Sequence, residues 1–221
     1  MSARAWDRPS LAPHLSRLPP ARGTGKSAAM EITVVPLQGR YVRLEPFAPT
    51  LKEEVRRALD CDPEAWALVS ATSQGEAFDA GWDKSLAQMQ TGEILPYAVR
   101  RRSDGRVVGR STFLNMRRAD RGLEIGATFL HPDVRGGPVN PESKLLMLAH
   151  AFACGAMRVE LRTDLLNQRS QAAIARLGAV REGVLRRHVV TWTGRIRDTV
   201  VFAVTDQDWP GVQARLTARL A

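Results

Sequence analysis

The strongest constraint on this chain is a change of hydrophobic period near its middle. Leu123, Ile125, Ala127 and Phe129 alternate with the residues between them, the period of a strand. His131-Pro132 ends that run, and Gly136 and Gly137 follow. Apolar residues then recur at helical spacing, at Leu145, Leu148, Ala149 and Phe152, up to a closing Gly155. Asn140 reads as the cap of this helix, and Pro141-Glu142 as its first turn. Residues 157–163 read as another strand, and residues 170–177 as a second helix, ended by Gly178.

The flanks add more strands. Residues 41–45 alternate before Pro46 and Pro49. Leu51, Val55 and Leu59 fall on one helical face, and residues 60–92 read as helix and loop. Residues 95–101 and 107–114 form a hairpin turning at Ser103-Asp104-Gly105. Residues 184–192 and 196–204 form another around Thr193-Gly194. Strand runs mixed with crossover helices predict an α/β fold: a mixed, mostly antiparallel twisted sheet.

With 221 residues, 44% of them hydrophobic and 25% charged, the chain suits one globular domain. No window approaches the roughly 18 consecutive apolar residues of a spanning helix, so no membrane partner is expected. Cys61 and Cys154 are too few for a disulfide framework or a four-cysteine zinc site, and the four histidines show no metal-ligand spacing. A soluble, cytoplasmic protein without a metal is expected.

The formal charge is +9, and residues 1–29 contribute +4 of it, five basic residues against Asp7 alone. That segment carries Pro9, Pro13, Pro19 and Pro20 and no periodicity, so it reads as a poorly ordered basic extension ahead of one domain at residues 30–221. An organelle transit peptide, a binding extension and a start upstream of Met30 compete as its origin; the strand-like residues after Met30 favour the last. Gly23-Thr24-Gly25-Lys26-Ser27 suggests a phosphate loop, but Pro20 stands where the first glycine of that pattern belongs. The segment is therefore rejected as one.

A strand feeding a glycine-bearing loop and a helix N-terminus is an anion trap, because unpaired N–H groups and the helix dipole both favour phosphate. Arg135 adds a charge, and Gly136 and Gly137 permit close approach.

Further residues carry a family resemblance. Gly39-Arg40-Tyr41-Val42-Arg43-Leu44-Glu45-Pro46, His131-Pro132-Asp133-Val134-Arg135-Gly136 and Asn167-Gln168-Arg169-Ser170 occur in that order. Arg176-Leu177-Gly178-Ala179, Arg181-Glu182-Gly183-Val184-Leu185-Arg186 and Gly194-Arg195-Ile196-Arg197-Asp198 follow. Over about residues 37–206 the chain resembles the GNAT superfamily of N-acetyltransferases, within it the RimJ/RimL-like branch.

The resemblance implies a V-shaped opening between the strands at 123–130 and 157–163 that takes the pantetheine arm of acetyl-CoA. Phe129 and Leu130 would meet the arm. Arg135, Gly136, Gly137, Val139 and Asn140 would hold the pyrophosphate, with Asn167 and Ser170 reaching in from the other side. Pro138 departs from the family pattern, standing where a glycine is usual, which removes one N–H donor.

Acetyl transfer to an amine needs a base, an oxyanion donor and a proton for the leaving thiolate. Glu124, opposite in phase to Leu123 and Ile125, is the base candidate; N–H groups near residues 127–129 could polarise the carbonyl. The tyrosine acid common in the family is replaced by Ile174, which leaves Ser170 as the acid candidate or, alternatively, as a helix cap. Glu160 and Glu182 are lesser candidates that read as solvated or ion-paired, His131 reads as a turn residue, His188 as an edge of the substrate pocket and Cys154 as core.

The expected activity is transfer of acetyl from acetyl-CoA to a primary amine, on a small molecule or a protein N-terminus, by direct transfer in a ternary complex. A homodimer is compatible with this reading. No aromatic–basic motif supports a nucleic-acid partner. The alternative is a non-catalytic acyl-CoA-binding or RNA-associated protein on the same scaffold.

Overall fold

The computed structural model describes residues 29–221. The basic extension, with its Gly23–Ser27 phosphate-loop likeness, lies outside the described residues except for Ala29.

The elements run β1 (Leu37–Gln38), β2 (Val42–Pro46), a 3-10 turn (Pro49–Leu51), α1 (Lys52–Leu59), α2 (Pro63–Trp66) and α3 (Ala77–Gln90). Then come β3 (Leu95–Arg101), β4 (Val107–Arg117), β5 (Gly122–Leu130), a 3-10 turn (Pro132–Val134) and α4 (Val139–Ala153). The chain closes with β6 (Arg158–Asp164), α5 (Gln168–Leu177), β7 (Val180–Val190), β8 (Ile196–Thr205) and α6 (Trp209–Leu220). The strands form one sheet in the order β1-β2-β3-β4-β5-β6-β8-β7, in which β5 and β6 run parallel and every other neighbouring pair is antiparallel. The mixed, mostly antiparallel sheet expected from the sequence is what forms.

Two apolar clusters grip the sheet. One lies under α4, α5 and α6, with Leu123, Ile125, Met147, Leu148, Val159, Leu161 and Leu216 among its members. The other lies under α1 to α3 and joins Phe47, Val55, Trp66, Trp82, Ala98 and Phe129. This second cluster stops at β5. Beyond it the same face carries Glu160, Arg162, Asp164, Arg197 and Thr199, because Val159, Leu161, Val200 and Phe202 take the opposite, apolar side.

Three details differ from the sequence reading. Phe129 does not share a face with Leu123 and Ile125, because the ladder between β4 and β5 slips between Arg110 and Thr112 and Ala127 takes a left-handed φ of 44°. One extra residue in a strand reverses its alternation, so Phe129 stacks on Trp66 with ring centroids 4.6 Å apart. The helix at 139–153 begins earlier than expected, with Pro138 rather than Asn140 at the cap. The C-terminal helix α6, whose Val212, Leu216 and Leu220 are buried, was not foreseen.

Candidate active site

The opening follows from register. β5 pairs with β6 at Gly122, Leu123 and Glu124, after which β5 runs on to Leu130 and β6 to Asp164 without pairing to each other. Their facing backbone groups are left free at the bulge, and a strand-like ligand could pair there.

Past the end of β5, residues 131–138 make the turn into α4. His131 accepts a hydrogen bond from Asp133 N through Nδ1 at 3.3 Å, so it is a turn residue as expected. Gly136 has φ 79°, a left-handed conformation suited to glycine. None of the N–H groups of Gly136, Gly137, Val139 and Asn140 donates to a described acceptor. Pro138 and Pro141 supply no N–H at all, so the turn offers a reduced set of donors at the positive end of α4. Arg135 is already engaged: its Nε donates to Leu130 O at 3.1 Å, Nη1 pairs with Asp62, and the guanidinium lies 5.7 Å from the Phe129 ring centre. A cavity of about 470 Å³ lies against the same turn, lined among others by Arg40, Arg101, Arg102 and Pro138.

α4 is fixed to the sheet by Glu142. Its carboxylate accepts from Arg40 N at 2.7 Å, Tyr41 N at 2.6 Å and Val42 N at 2.7 Å. Burial pushes this carboxyl's pKa up, and the three N–H groups oppose that.

Across the opening, Asn167 rather than Ser170 caps α5, its Oδ1 accepting from Ser170 N at 2.9 Å. The Ser170 hydroxyl makes no hydrogen bond among the described residues. Asn167 and Ser170 thus stand together at the start of α5, the helix that follows β6.

Glu124 lies on the polar face, with its side chain 9% exposed. Asn115 Nδ2 donates to its Oε2 at 2.8 Å, and Arg162 Nε lies 3.5 Å from the same oxygen. Burial raises its pKa above the usual carboxylate value, with Asn115 and Arg162 opposing. A carboxylate of raised pKa with little solvent around it is a stronger base than an exposed one. Glu160 is instead held by Arg117, Arg158 and Arg162, and Glu182 by Arg158, so of the solvated and ion-paired readings both take the second. His188 Nδ1 lies 3.1 Å from Thr199 Oγ1 on the same polar face.

Two buried cations were not foreseen. Lys144 donates from α4 to Ser111 Oγ at 2.9 Å and Thr128 Oγ1 at 2.6 Å, and burial lowers its pKa to about 7. Arg110 lies on the opposite face of the sheet beside Thr112. Neither sits in a pattern that sequence spacing distinguishes from a surface cation.

Among the described residues no group of three or more His, Cys, Asp or Glu could hold a metal, and no helix is long and apolar enough to cross a membrane.

A parallel pair of strands parted near a bulge that lies beside a buried carboxylate, with a donor-bearing turn at a helix start beyond the end of β5, is the arrangement the chain presents. Residues 42–180 match the family model "Acetyltransferase (GNAT) domain", and the chain belongs to this family of N-acetyltransferases. It is similar to a GCN5-related N-acetyltransferase from Brucella melitensis, at 28% identity and TM-score 0.82, over 89% of this chain and 90% of that one. A protein from T. thermophilus assigned as an acetyltransferase is 37% identical, with TM-score 0.75, over 84% of this chain and 97% of that one. RimJ of Mycobacterium smegmatis, solved with CoA-disulfide, shares the fold at 24% identity and TM-score 0.70, over 80% of this chain and 88% of that one. No curated protein matches.

Proposed function

We propose that this chain, as a single domain over residues 30–221, moves the acetyl group of acetyl-CoA to a primary amine by direct transfer, in the manner of the RimJ/RimL-like branch. The observation that carries the reading is Glu124, a carboxylate of raised pKa buried beside the bulge where β5 leaves β6. Acetyl-CoA would supply an activated thioester. Gly136, Gly137, Val139 and Asn140 would hold its phosphates through N–H groups, with Arg135 available if it leaves Asp62. The free edge of β5 at Ala127, Thr128, Phe129 and Leu130 would pair with the pantetheine amides and aim an N–H at the carbonyl oxygen.

Glu124 takes the proton of the incoming ammonium, directly or through one water. The amine lone pair then attacks the carbonyl carbon, the C–N bond forms and the C–S bond breaks. Ser170 gives its hydroxyl proton to the departing sulfur and regains one through water from the nitrogen, which sheds its second proton as the amide forms. Asn167 fixes the helix start that carries Ser170. The acceptor amine belongs to a small molecule or to a protein N-terminus.

The test is acetyl-CoA turnover with a panel of amines, comparing the wild type with Glu124→Gln. The reading expects amine-dependent release of CoA that falls by about 10²–10⁴-fold in the variant, while acetyl-CoA binding survives. Acetyl-CoA binding without turnover would favour the non-catalytic acyl-CoA-binding alternative; no binding would overturn the acetyl-transfer reading.

A further inference from the structure

Arg110 lies on the sheet face that also carries Glu124. In the β4–β5 ladder Arg110 stands opposite Phe129, Thr112 opposite Gly126 and Leu114 opposite Glu124. The Arg110 side chain runs along β4 toward the Glu124 end, since its Nη2 reaches to 3.4 Å from Thr112 Oγ1. Glu124 leans the other way: a Cβ added at Gly126 would stand 2.7 Å from its Oε1. The cation and the carboxylate therefore converge on one cross-strand pair, Thr112 and Gly126, beside the bulge at Ala127.

The guanidinium has almost no protein partner. Arg110 is 9% exposed, its Nε is buried without a hydrogen bond, and no described carboxylate lies within 4 Å of it. The ring of Phe47, 5.4 Å away, offers a cation–π contact, worth about 2 kcal/mol when desolvated. Taking an ion out of water costs several kcal/mol, and buried charges are normally paired. Arg197, buried to the same degree, lies 3.9 Å from Asp164. Burial lowers the Arg110 pKa to about 10, which leaves it charged at neutral pH.

We propose that Arg110 recognises the acetyl acceptor by binding a carboxylate that the acceptor carries close to its reacting amine. The proposal rests on the acetyl-transfer reading and names the class of its acceptor. The two groups converge on this cross-strand pair without forming an ion pair with each other, so a ligand that carries its amine and a carboxylate a few bonds apart could engage both. Two sources bring this chemistry: a free α-amino acid, or a peptide whose first residue is Asp or Glu. An amine without a carboxylate would leave the buried guanidinium unpaired, which is a strong basis for rejection.

The experiment uses the full chain with acetyl-CoA and two matched acceptor pairs: leucine against leucinamide, and a peptide starting with Asp against the same peptide starting with Asn. The wild type is expected to favour the carboxylate member of one pair by at least tenfold in kcat/KM. Leucine ahead of leucinamide identifies the free amino acid; the Asp peptide ahead identifies the acidic N-terminus.

Arg110→Met is expected to erase that preference and raise the acceptor KM at least tenfold, with the acetyl-CoA KM unchanged and the thermal midpoint equal or higher. An unpaired buried cation replaced by an apolar chain of similar length should not destabilise. Arg110→Lys, which keeps the charge, is expected to retain part of the preference. Equal rates within both pairs, or a preference that survives Arg110→Met, overturns the Arg110 assignment while leaving acetyl transfer intact. A chain that binds no acetyl-CoA overturns the acetyl-transfer reading, and this one with it.

Discussion

Glu124 Oε1 lies so close over Gly126 that a single methyl group there would meet it at 2.7 Å. Glycine is therefore required for Glu124 to fold toward the bulge, where the acetyl carbonyl would sit. Gly126→Ala is expected to displace the carboxylate and lower kcat by at least tenfold, with little change in acetyl-CoA affinity. Because burial raises the Glu124 pKa, the acidic limb of the wild-type kcat/KM profile should lie above the ordinary carboxylate range. A wild-type limb near pH 4, or a fully active Gly126→Ala, would remove Glu124 from the role of base.

Pro138 and Pro141 bracket the start of α4 without N–H groups. Pro138→Gly would return one donor to the turn, and a donor to a charged phosphate contributes about 1–3 kcal/mol. Acetyl-CoA should then bind about tenfold to a hundredfold more tightly, since 1.4 kcal/mol is about one decade. The free variant should melt slightly lower, because glycine loosens the unfolded chain. Calorimetric titration decides it. An unchanged dissociation constant would mean that the phosphates do not use position 138.

Much of this arrangement was legible in the residues. The strand at 122–130, the glycine turn and the helix after it announce themselves by period and by punctuation, and Glu124 follows from its phase. The bulge did not, because Ala127 is a non-glycine residue in a left-handed conformation and nothing in its type signals that. Phe129 was therefore placed on the wrong face. Arg110 and Lys144 were invisible for another reason: cations are mostly exposed, and only tertiary packing reveals that these two are buried. The helix α6 left a signal in Val212, Leu216 and Leu220, four residues apart, but Pro210 and Gly211 beside them mask it.

Glu142 ties the α4 start to the start of β2 and the two residues before it through three N–H donors. Glu142→Ala strands those buried donors and is expected to cost about 3 kcal/mol. For a chain of this size that is a fall of about 6–12 °C in Tm. Since the same turn carries the proposed phosphate donors, acetyl-CoA should restore less of the lost stability than it adds to the wild type. A variant that melts within about a degree of the wild type would show that the clamp is dispensable.

Lys144 gives a pH signature that no surface lysine would. Its pKa is about 7 in the folded chain, lowered by burial, against about 10.4 in the unfolded chain. Between these values the unfolded state holds a proton that the folded state lacks, so stability from this group rises with pH across the window. Below pH 7 both states are protonated and its burial penalty is greatest and constant; above about 10.4 both are neutral and the penalty is gone. Lys144→Met has no such dependence. The unfolding free energy of the wild type relative to that variant should therefore climb from pH 7 to pH 9, by at most about 1.4 kcal/mol per pH unit. Urea titrations of both proteins at pH 7, 8 and 9 read this directly. A difference that stays flat would mean that Lys144 keeps its proton, shared between Ser111 and Thr128, and that the face of the bulge toward α4 remains charged throughout.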